Sequence, residues 1–360
     1  MNDTSPVQKQ TAELHAFTDT LFADVIGQVK VKNELNFYLR DYAVSRRIPN
    51  TMFIAPRGQG KTLIATETAK GLFEFNEDGE VEWSPSKINP NIQKPKRKKF
   101  IEVNCSTLKN VKQFINGIII PFVQDKDVTV FFDEASEIPH DVSMALLTIL
   151  PVNRLVSTFA YDEYVCDFDF RRQSFLFATT EPHKVFHALM DRLERITLQE
   201  YSQVELAQIL RKGLDKNIKT EDSTLLEVAS VLRGNARAAE KMAAKISTFI
   251  RGLARLSFTL ADWRQVCKIL SINPLGLNDI EIHILRHLAC NATGTSLTRL
   301  SAKTGMSRES LQKTEEIYLQ RNDLMEIATT GRQITTKGIE YLKALDGEAI
   351  APNSNTVSVA

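Results

Sequence analysis

The stretch that most constrains this chain is IAPRGQGKTL, Ile54 to Leu63, which follows a short apolar run and precedes a segment with helical spacing. Phosphate binding at such a junction requires several backbone N–H groups that converge at a helix N-terminus, a lysine, and a hydroxyl that can ligate Mg²⁺. The loop offers these groups in Gly58, Gln59, Gly60, Lys61, Thr62 and Leu63. Ala55 stands where the pattern expects a first glycine, but its methyl removes no ligand and costs about 1 kcal/mol only if the backbone φ there is unusual.

A second segment favours nucleotide binding over a glycine-rich turn without a ligand, which is the alternative for the loop alone. VTVFFDE is an apolar strand that ends in Asp133 and Glu134. One carboxylate at such a strand end can orient the shell of a metal, and the adjacent one can polarise an attacking water. The two elements in this order predict a nucleotide site on a βαβ pattern.

Two further polar residues stand where a nucleotide hydrolase would use them. Thr180, which follows the buried-strand pattern SFLFAT, could hold the attacking water or the γ-phosphate, although threonine is also a common structural choice at a strand end. Arg192 could reach the γ-phosphate bound by a neighbouring subunit. The alternative for Arg192 is a surface arginine paired with Asp191 or Glu194.

Composition sets only broad bounds. A chain of 360 residues with 43% apolar residues can bury a full core and should divide into two or three domains. The balance of 45 Lys and Arg against 44 Asp and Glu neither supports nor excludes DNA binding. The four cysteines are far apart with no C-x-x-C pair, and no signal peptide or membrane span is predicted, so we expect a cytoplasmic protein.

The order of patterns predicts an α/β fold followed by helices. Strands that alternate with helices predict a parallel sheet with helices on both faces over residues 18–198, after a flexible N-terminus over 1–17. A basic loop is predicted as an insertion at 76–99, and an alternating pattern predicts a hairpin at 154–170. Further on, the chain predicts a helical lid domain at 199–270, a winged helix at 275–345 and a disordered tail at 346–360.

The motifs FADVIGQ, PRGQGKT, FFDEAS, ATTEP, LMDRL and RGNARAAEKM occur in the order seen in AAA+ ATPases. The resemblance is closest to the RuvB-type Holliday-junction branch-migration motors and extends from about Phe22 to Leu345. The hairpin and the C-terminal winged helix distinguish this type from clamp loaders, which normally carry a different third domain.

The resemblance implies a role for each matching residue. Asp133 would coordinate Mg²⁺ together with Thr62, Glu134 would activate water, and Thr180 would be the first sensor. Arg192 would act from the neighbouring subunit of a hexameric ring around DNA, Arg237 would be the second sensor, and Ile26 would line the adenine pocket. The implied cofactors are ATP and Mg²⁺.

The resemblance also implies two kinds of macromolecular contact. The family's hairpin docks on a junction-binding protein, RuvA, so Phe159, Tyr161 and Tyr164 are the candidates for that contact, with cross-strand packing as the alternative. For DNA, the resemblance implies a contact by Arg332, predicted at the tip of the wing. The residue pattern itself, a turn at Gly305 followed by a helix capped by Ser307, makes Arg308 and Lys313 further candidates. The alternative for the winged helix is a contact with a protein, since winged helices also bind proteins. The run KPKRKK is a solvated loop, a DNA contact or a nuclear-import signal.

Departures from the family pattern indicate a diverged relative, of a kind that a phage or mobile element could carry. Met190, Leu193 and Glu194 replace the second arginine and the Phe-Gly that the family shows around Arg192. The leading hypothesis is a ring-forming ATPase that translocates branched DNA in recombination and repair. The alternatives are a clamp-loader-like or helicase-loader switch that acts on a protein ring, and a winged-helix DNA-binding regulator with a structural nucleotide.

Overall fold

The computed structural model describes Leu14, Thr18 and residues 20–85, 93–150, 154–291 and 293–350, with side chains as far as 347. These residues divide into two compact units. The first contains the chain up to residue 209 together with 234–241, and the second contains 210–233 and the chain from 242 onward. Most of the predicted N-terminal segment and residues 351–360 of the predicted tail lie outside the described residues. The last helix extends to Ile350, so 346–350, which we predicted as tail, are helical.

The strands, numbered along the chain, are β1 Thr51–Ile54, β2 Trp83–Pro85, β3 Gln93–Pro95, β4 Lys99–Asn104, β5 Val128–Asp133, β6 Val156–Tyr161, β7 Tyr164–Asp169, β8 Gln173–Thr179, β9 Glu194–Thr197, β10 Met325–Ala328 and β11 Gly331–Ile334. The α-helices span Val29–Ser45, Lys61–Lys70, Val111–Phe114, His140–Ile149, His187–Met190, Gln203–Gly213, Asp222–Ser230, Ala236–Gly252, Leu260–Leu270, Asp279–Ala289, Leu297–Thr304, Arg308–Ser310, Glu316–Arg321 and Thr336–Ile350. Two π-helical stretches, Ile115–Val123 and Leu311–Glu315, continue the helices before them.

The first unit is built on a five-stranded parallel sheet in the order β4-β5-β8-β1-β9. Its central strands are apolar runs buried on both faces, as expected for a parallel sheet covered by helices. Phe131 and Phe132 point to opposite faces of β5, since side chains alternate along a strand. Phe132 stacks on Phe177 at 4.8 Å between ring centroids, whereas Phe131 stacks on Phe100 at 6.0 Å. The α/β prediction is confirmed.

The described part of the predicted insertion at 76–99 contains a two-stranded ribbon. β2 and β3 pair antiparallel, and further bridges join Phe73 to Arg97 and Phe75 to Val81. Directly after β3, Lys96 lies 2.6 Å from the carboxylate of Glu74 and 3.0 Å from that of Glu82. Residues 93–95 therefore form a strand and not the expected loop, and Lys98 is buried, whereas the side chains of Lys94, Lys96 and Arg97 are exposed to solvent as expected. Residues 86–92 lie outside the described part.

The second unit carries the C-terminal fold. Helices Asp279–Ala289, Leu297–Thr304 and the helix that begins at Arg308 pack with the β10–β11 ribbon around one apolar core. Gly305 ends the middle helix with a φ of 72°, and Ser307 caps the next helix by accepting the backbone N–H of Ser310 at 3.1 Å. This is the predicted winged helix. Within the described ranges no helix has both the length and the apolar character that a bilayer crossing requires.

Candidate nucleotide site and its flanking surfaces

The loop between β1 and the helix Lys61–Lys70 has the backbone conformation that phosphate loops require. Gly58 and Gly60 have φ values of 79° and 86°, in the left-handed region where a side chain is strained. Ala55 is buried and is absent from that region, so its methyl carries no conformational cost. Across the described residues the backbone N–H groups of Gly58, Gln59 and Gly60 have no protein acceptor, which leaves them free for an anion.

Lys61 is folded back onto this loop. Its Nζ donates to the carbonyls of Ala55 at 2.8 Å and Pro56 at 3.2 Å. Burial lowers the pKa of Lys61, while the carboxylates of Glu134 and Asp133 raise it. The charge of Lys61 is thus close enough to both predicted acids to interact with them. Thr62 follows in the first turn, half-buried, whereas the Leu63 side chain is exposed.

Three strand ends meet beside this loop. β8 lies between β5 and β1 in the sheet, so the residues after all three strands share one edge. Thr180 Oγ1 lies 3.4 Å from Glu134 Oε2, and Asp133 Oδ1 accepts the backbone N–H of Glu134 at 3.0 Å. Glu134 has a φ of 55°, a strained conformation of the kind found at functional sites. The two acids and Thr180 therefore converge on the phosphate loop, as the sequence predicted.

Gly27 and Gln28, which follow the partly buried Ile26, lie where Tyr201 and Glu205 approach the chain. The side chain of Gln28 exchanges hydrogen bonds of 2.7 and 3.0 Å with the backbone of Gln199. A Cβ on Gly27 would lie 2.4 Å from Glu205 Oε1, and one on Gly60 would lie 3.1 Å from Tyr201 Oη. Burial raises the pKa of Tyr201. Our sequence analysis missed Tyr201, although an aromatic residue directly before the Ser202 cap is the signature of a hydrophobic staple.

Arg237 belongs to the same unit as the loop and lies near it. Its backbone N–H donates to the carbonyl of Gly58 at 3.2 Å, and its side chain is exposed. After burial and the two acids, the charges of Arg237 and Arg57 contribute to the lowered pKa of Lys61. The predicted second-sensor residue therefore lies within electrostatic range of the phosphate-binding lysine.

Arg192 makes a different set of contacts from those considered in the sequence. Its guanidinium donates to the carbonyls of Leu147 and, at 3.1 Å, Leu150, where the helix His140–Ile149 ends. It pairs with neither Asp191 nor Glu194. Asp191 instead bonds Arg195 at 2.9 Å. In this state Arg192 caps a helix C-terminus, where a cation is favoured by the helix dipole.

The three hairpin aromatics do not share one environment. Phe159 is only 8% exposed and belongs to the core, so the prediction that it contacts a partner is wrong for this structure. Tyr161 stacks on Phe159 at 6.4 Å, and Tyr164, opposite Tyr161 at the tip, is exposed. Val165, which our sequence analysis passed over, is 60% exposed and is a better surface candidate.

The basic residues of the winged helix also differ in availability. Arg308 is exposed and has no ion-pair partner among the described residues. Lys313 is exposed but pairs with Glu309 at 2.7 Å. Arg332 is not at the wing tip: it lies in β11 opposite Ile327, its side chain is 11% exposed, and it makes two hydrogen bonds to Glu316 at 2.8 and 3.0 Å. The prediction of a free DNA-contacting arginine there is corrected to a structural ion pair.

The parallel sheet, the phosphate loop, the acidic pair after β5 and the polar residue after β8 define a P-loop nucleotide-binding protein of the AAA+ class. The second unit adds helices and a winged helix to this core. The fold class agrees with the sequence-based prediction.

Comparisons with known proteins specify the type within that class. The family model for the RuvB C-terminal winged helix domain matches residues 274–343. The chain is 26% identical to the Holliday junction branch migration complex subunit RuvB of Ehrlichia canis, covering 90% of this chain and 92% of that protein. It is 24% identical to the RuvB subunit of Nitratiruptor sp., covering 89% of each chain.

Solved RuvB structures are also similar to this chain in fold. A point mutant of Thermotoga maritima RuvB superposes with a TM-score of 0.68 at 19% identity, covering 89% of this chain and 97% of that one. The structure described as the Thermotoga maritima RuvB Holliday junction branch migration motor superposes with a TM-score of 0.66 at 18% identity, covering 88% and 95%. The chain therefore has the fold of these RuvB structures, and its residues 274–343 match the RuvB winged helix.

Proposed function

We propose that this chain is an ATP-driven DNA motor that hydrolyses ATP to drive branch migration of four-way DNA junctions. The observation that carries the proposal is the convergence of the free loop amides, Lys61, Asp133 and Glu134 at one sheet edge, in a chain that ends in a RuvB-type winged helix. Relatives that align over about nine tenths of the chain are named as RuvB subunits. The comparisons favour neither the loader nor the regulator.

The loop residues bind the triphosphate. The free N–H groups of Gly58, Gln59 and Gly60 hold phosphate oxygens, and Lys61 exchanges the carbonyls of Ala55 and Pro56 for them. Thr62 and Asp133 would hold Mg²⁺, which prefers oxygen ligands and commonly binds through one or two carboxylates and substrate phosphates. The metal would neutralise charge that develops on the phosphate oxygens.

Glu134 performs the proton chemistry. Its carboxylate orients the attacking water and accepts its proton, and the hydroxyl of Thr180 at 3.4 Å holds the carboxylate in place. Asp133 is the last residue of β5, whereas Glu134 leaves the strand with a φ of 55°, and we assign the two adjacent carboxylates two different roles.

Assembly and DNA contact complete the proposal. A hexameric ring would bring Arg192 to the nucleotide of the next subunit, where it would exchange its bonds with Leu147 and Leu150 for phosphate oxygens. Arg308 and Lys313 are the proposed phosphate contacts to DNA. The exposed face at the hairpin tip, with Tyr164 and Val165, is the proposed contact for a RuvA-like junction-binding protein.

The role of Glu134 is tested by Glu134→Gln. We expect ATP turnover to fall by about 10²- to 10⁴-fold, since a general base contributes that much, while the Kd for ATP stays within a few-fold. Glu137→Gln is the matched control, because Glu137 is an exposed carboxylate three residues away. Unchanged turnover in Glu134→Gln would remove Glu134 from this role. Absence of ATP binding in the natural chain would overturn the proposal itself.

A further inference from the structure

The segment Gly234–Arg237 is bonded to the phosphate loop at three points. Gln59 Nε2 donates to the carbonyl of Gly234 at 2.9 Å. Asn235 Nδ2 donates to the carbonyl of Arg57 at 3.1 Å, and the backbone N–H of Arg237 donates to the carbonyl of Gly58 at 3.2 Å. We call these three hydrogen bonds the latch. A Cβ on Gly58 would lie 2.2 Å from Asn235 Oδ1, so Asn235 is seated directly on the loop.

The latch fixes the direction of the loop amides. In a planar trans peptide the carbonyl and the N–H of the next residue point in opposite directions. With the carbonyls of Arg57 and Gly58 held toward the segment Gly234–Arg237, the N–H groups of Gly58 and Gln59 must point away from it. Those are two of the N–H groups that have no protein acceptor among the described residues. The latch therefore presets the amides for an anion before the anion arrives.

Asn235 has a second contact that ties the loop to a helix. Its Oδ1 accepts the backbone N–H of Ala238 at 3.0 Å, which caps the helix Ala236–Gly252. One side chain therefore holds the loop with its amide nitrogen and starts the helix that carries Arg237 with its amide oxygen. Gln59 is buried, and its Oε1 has no partner in the described part of the chain, so donation to Gly234 is its one bond there.

We propose that Asn235 and Gln59 are positioning residues for nucleotide binding, which hold the loop amides in their anion-binding orientation and keep the start of the Arg237 helix against the loop. The inference rests on the proposed function of the loop. Because a preset loop favours the bound substrate and the transition state alike, loss of the latch weakens binding without slowing the saturated enzyme.

The test compares neutral variants that lose one latch bond each. Asn235→Ser retains a good helix cap but is too short to donate to Arg57, and Gln59→Met retains size but not the donor. We expect each to raise the Kd of a fluorescent ATP analogue and the KM for ATP about three- to tenfold, the double variant to raise both further, and kcat to change less than twofold. Asn278→Ser is the matched control, since Asn278 caps the helix Asp279–Ala289 in the second unit.

The outcomes separate the two proposals. If the natural chain binds the analogue and both variants bind it equally well, the latch is overturned and the proposed function stands. If kcat falls while KM stays unchanged, Asn235 and Gln59 act on the chemical step, and the positioning role stated here is wrong. If the natural chain does not bind the analogue, the proposed function fails first. Equal melting temperatures of Asn235→Ser and the natural chain would exclude helix unfolding as the cause.

Discussion

Lys98 is a buried cation at the edge of the sheet away from the phosphate loop. It is 4% exposed, and its Nζ donates to the carbonyl of Arg171 at 2.8 Å and to Ser174 Oγ at 3.1 Å. Burial lowers the pKa of Lys98 to about 7, although Asp127 and Asp169 act in the opposite direction. Because the pKa is about 7 in the folded chain and 10.5 in the unfolded one, Lys98 couples stability to pH.

Between these two pKa values the unfolded chain binds a proton at Lys98 that the folded chain does not. Raising the pH therefore disfavours unfolding, and we expect stability to rise from about pH 7 to pH 10 with a contribution of up to about 1.4 kcal/mol per pH unit. Lys98→Met should remove that contribution, as measured by urea unfolding across this range. Lys94→Met, at an exposed lysine four residues earlier in the chain, is the control. An unchanged pH dependence in Lys98→Met would contradict the assignment.

A site residue was predictable where a local sequence motif identifies its chemistry. A few neighbouring residues were enough to predict Lys61, Asp133 and Glu134, and the structure places them together. The environments of Arg332 and Phe159 were not predictable, since they depend on contacts with residues outside the local motif. Glu316, sixteen residues from Arg332, commits that arginine to an ion pair. Asn235 belongs to the same group, because its contact with Arg57 spans 178 positions.

The wing depends on the ion pair between Arg332 and Glu316. Glu316 is 2% exposed, so removal of the arginine leaves a buried carboxylate without its partner. We expect Arg332→Met to lower the free energy of unfolding of the second unit by about 3–5 kcal/mol, and Arg332→Met with Glu316→Leu to recover most of it. The buried Trp263 reports this unit by fluorescence in a Trp83→Phe background, since the chain has only 2 tryptophans.

A different outcome would restore the original prediction for the wing. If Arg332→Met unfolds like the natural chain and loses affinity for duplex DNA, Arg332 is a free DNA contact and not a structural one. Arg308→Met serves as the comparison, because Arg308 is exposed on the neighbouring helix and is expected to lower DNA affinity without a change in stability.

Strands with a strong apolar pattern were predicted well, and irregular elements were not. The segments around Phe131 and Phe177 are apolar throughout, and this pattern predicted the central strands. The ribbon of β2 and β3 has no such pattern, since it is held by the ion pairs of Lys96 and by bridges between residues far apart in sequence. The apolar run that ends at Val123 became a π-helical stretch, a form without a sequence period of its own.

The proposed ring predicts that each nucleotide site uses residues of two subunits. Arg192→Ala and Lys61→Ala should each abolish DNA-stimulated ATP turnover, and a mixture of the two proteins should recover part of it. Recovery is expected because some interfaces combine an intact Lys61 with an intact Arg192 from the neighbour. If Arg192 only caps the helix that ends at Ile149, mixing gives no recovery and the melting temperature of Arg192→Ala falls.

The order of domains was predictable because the motifs of the sheet and the winged helix stand in separate parts of the chain. The division into compact units was not predictable, since residues 234–241 belong to the first unit although they follow residues of the second and include the start of the helix Ala236–Gly252. That placement brings Arg237 and Asn235 to the phosphate loop. Contacts between residues far apart in the sequence determine this division, and no local sequence pattern predicts it.

The most direct measurement is ATP-dependent branch migration on a synthetic four-way junction with mobile homologous arms, with the natural chain, Glu134→Gln and Glu137→Gln, alone and with a RuvA-like protein. The proposed motor predicts that the natural chain and Glu137→Gln convert the junction into two duplexes by branch migration only when ATP is present. Glu134→Gln is expected to bind the junction without moving it. Hydrolysis of ATP with no movement of the junction under any of these conditions would contradict the motor.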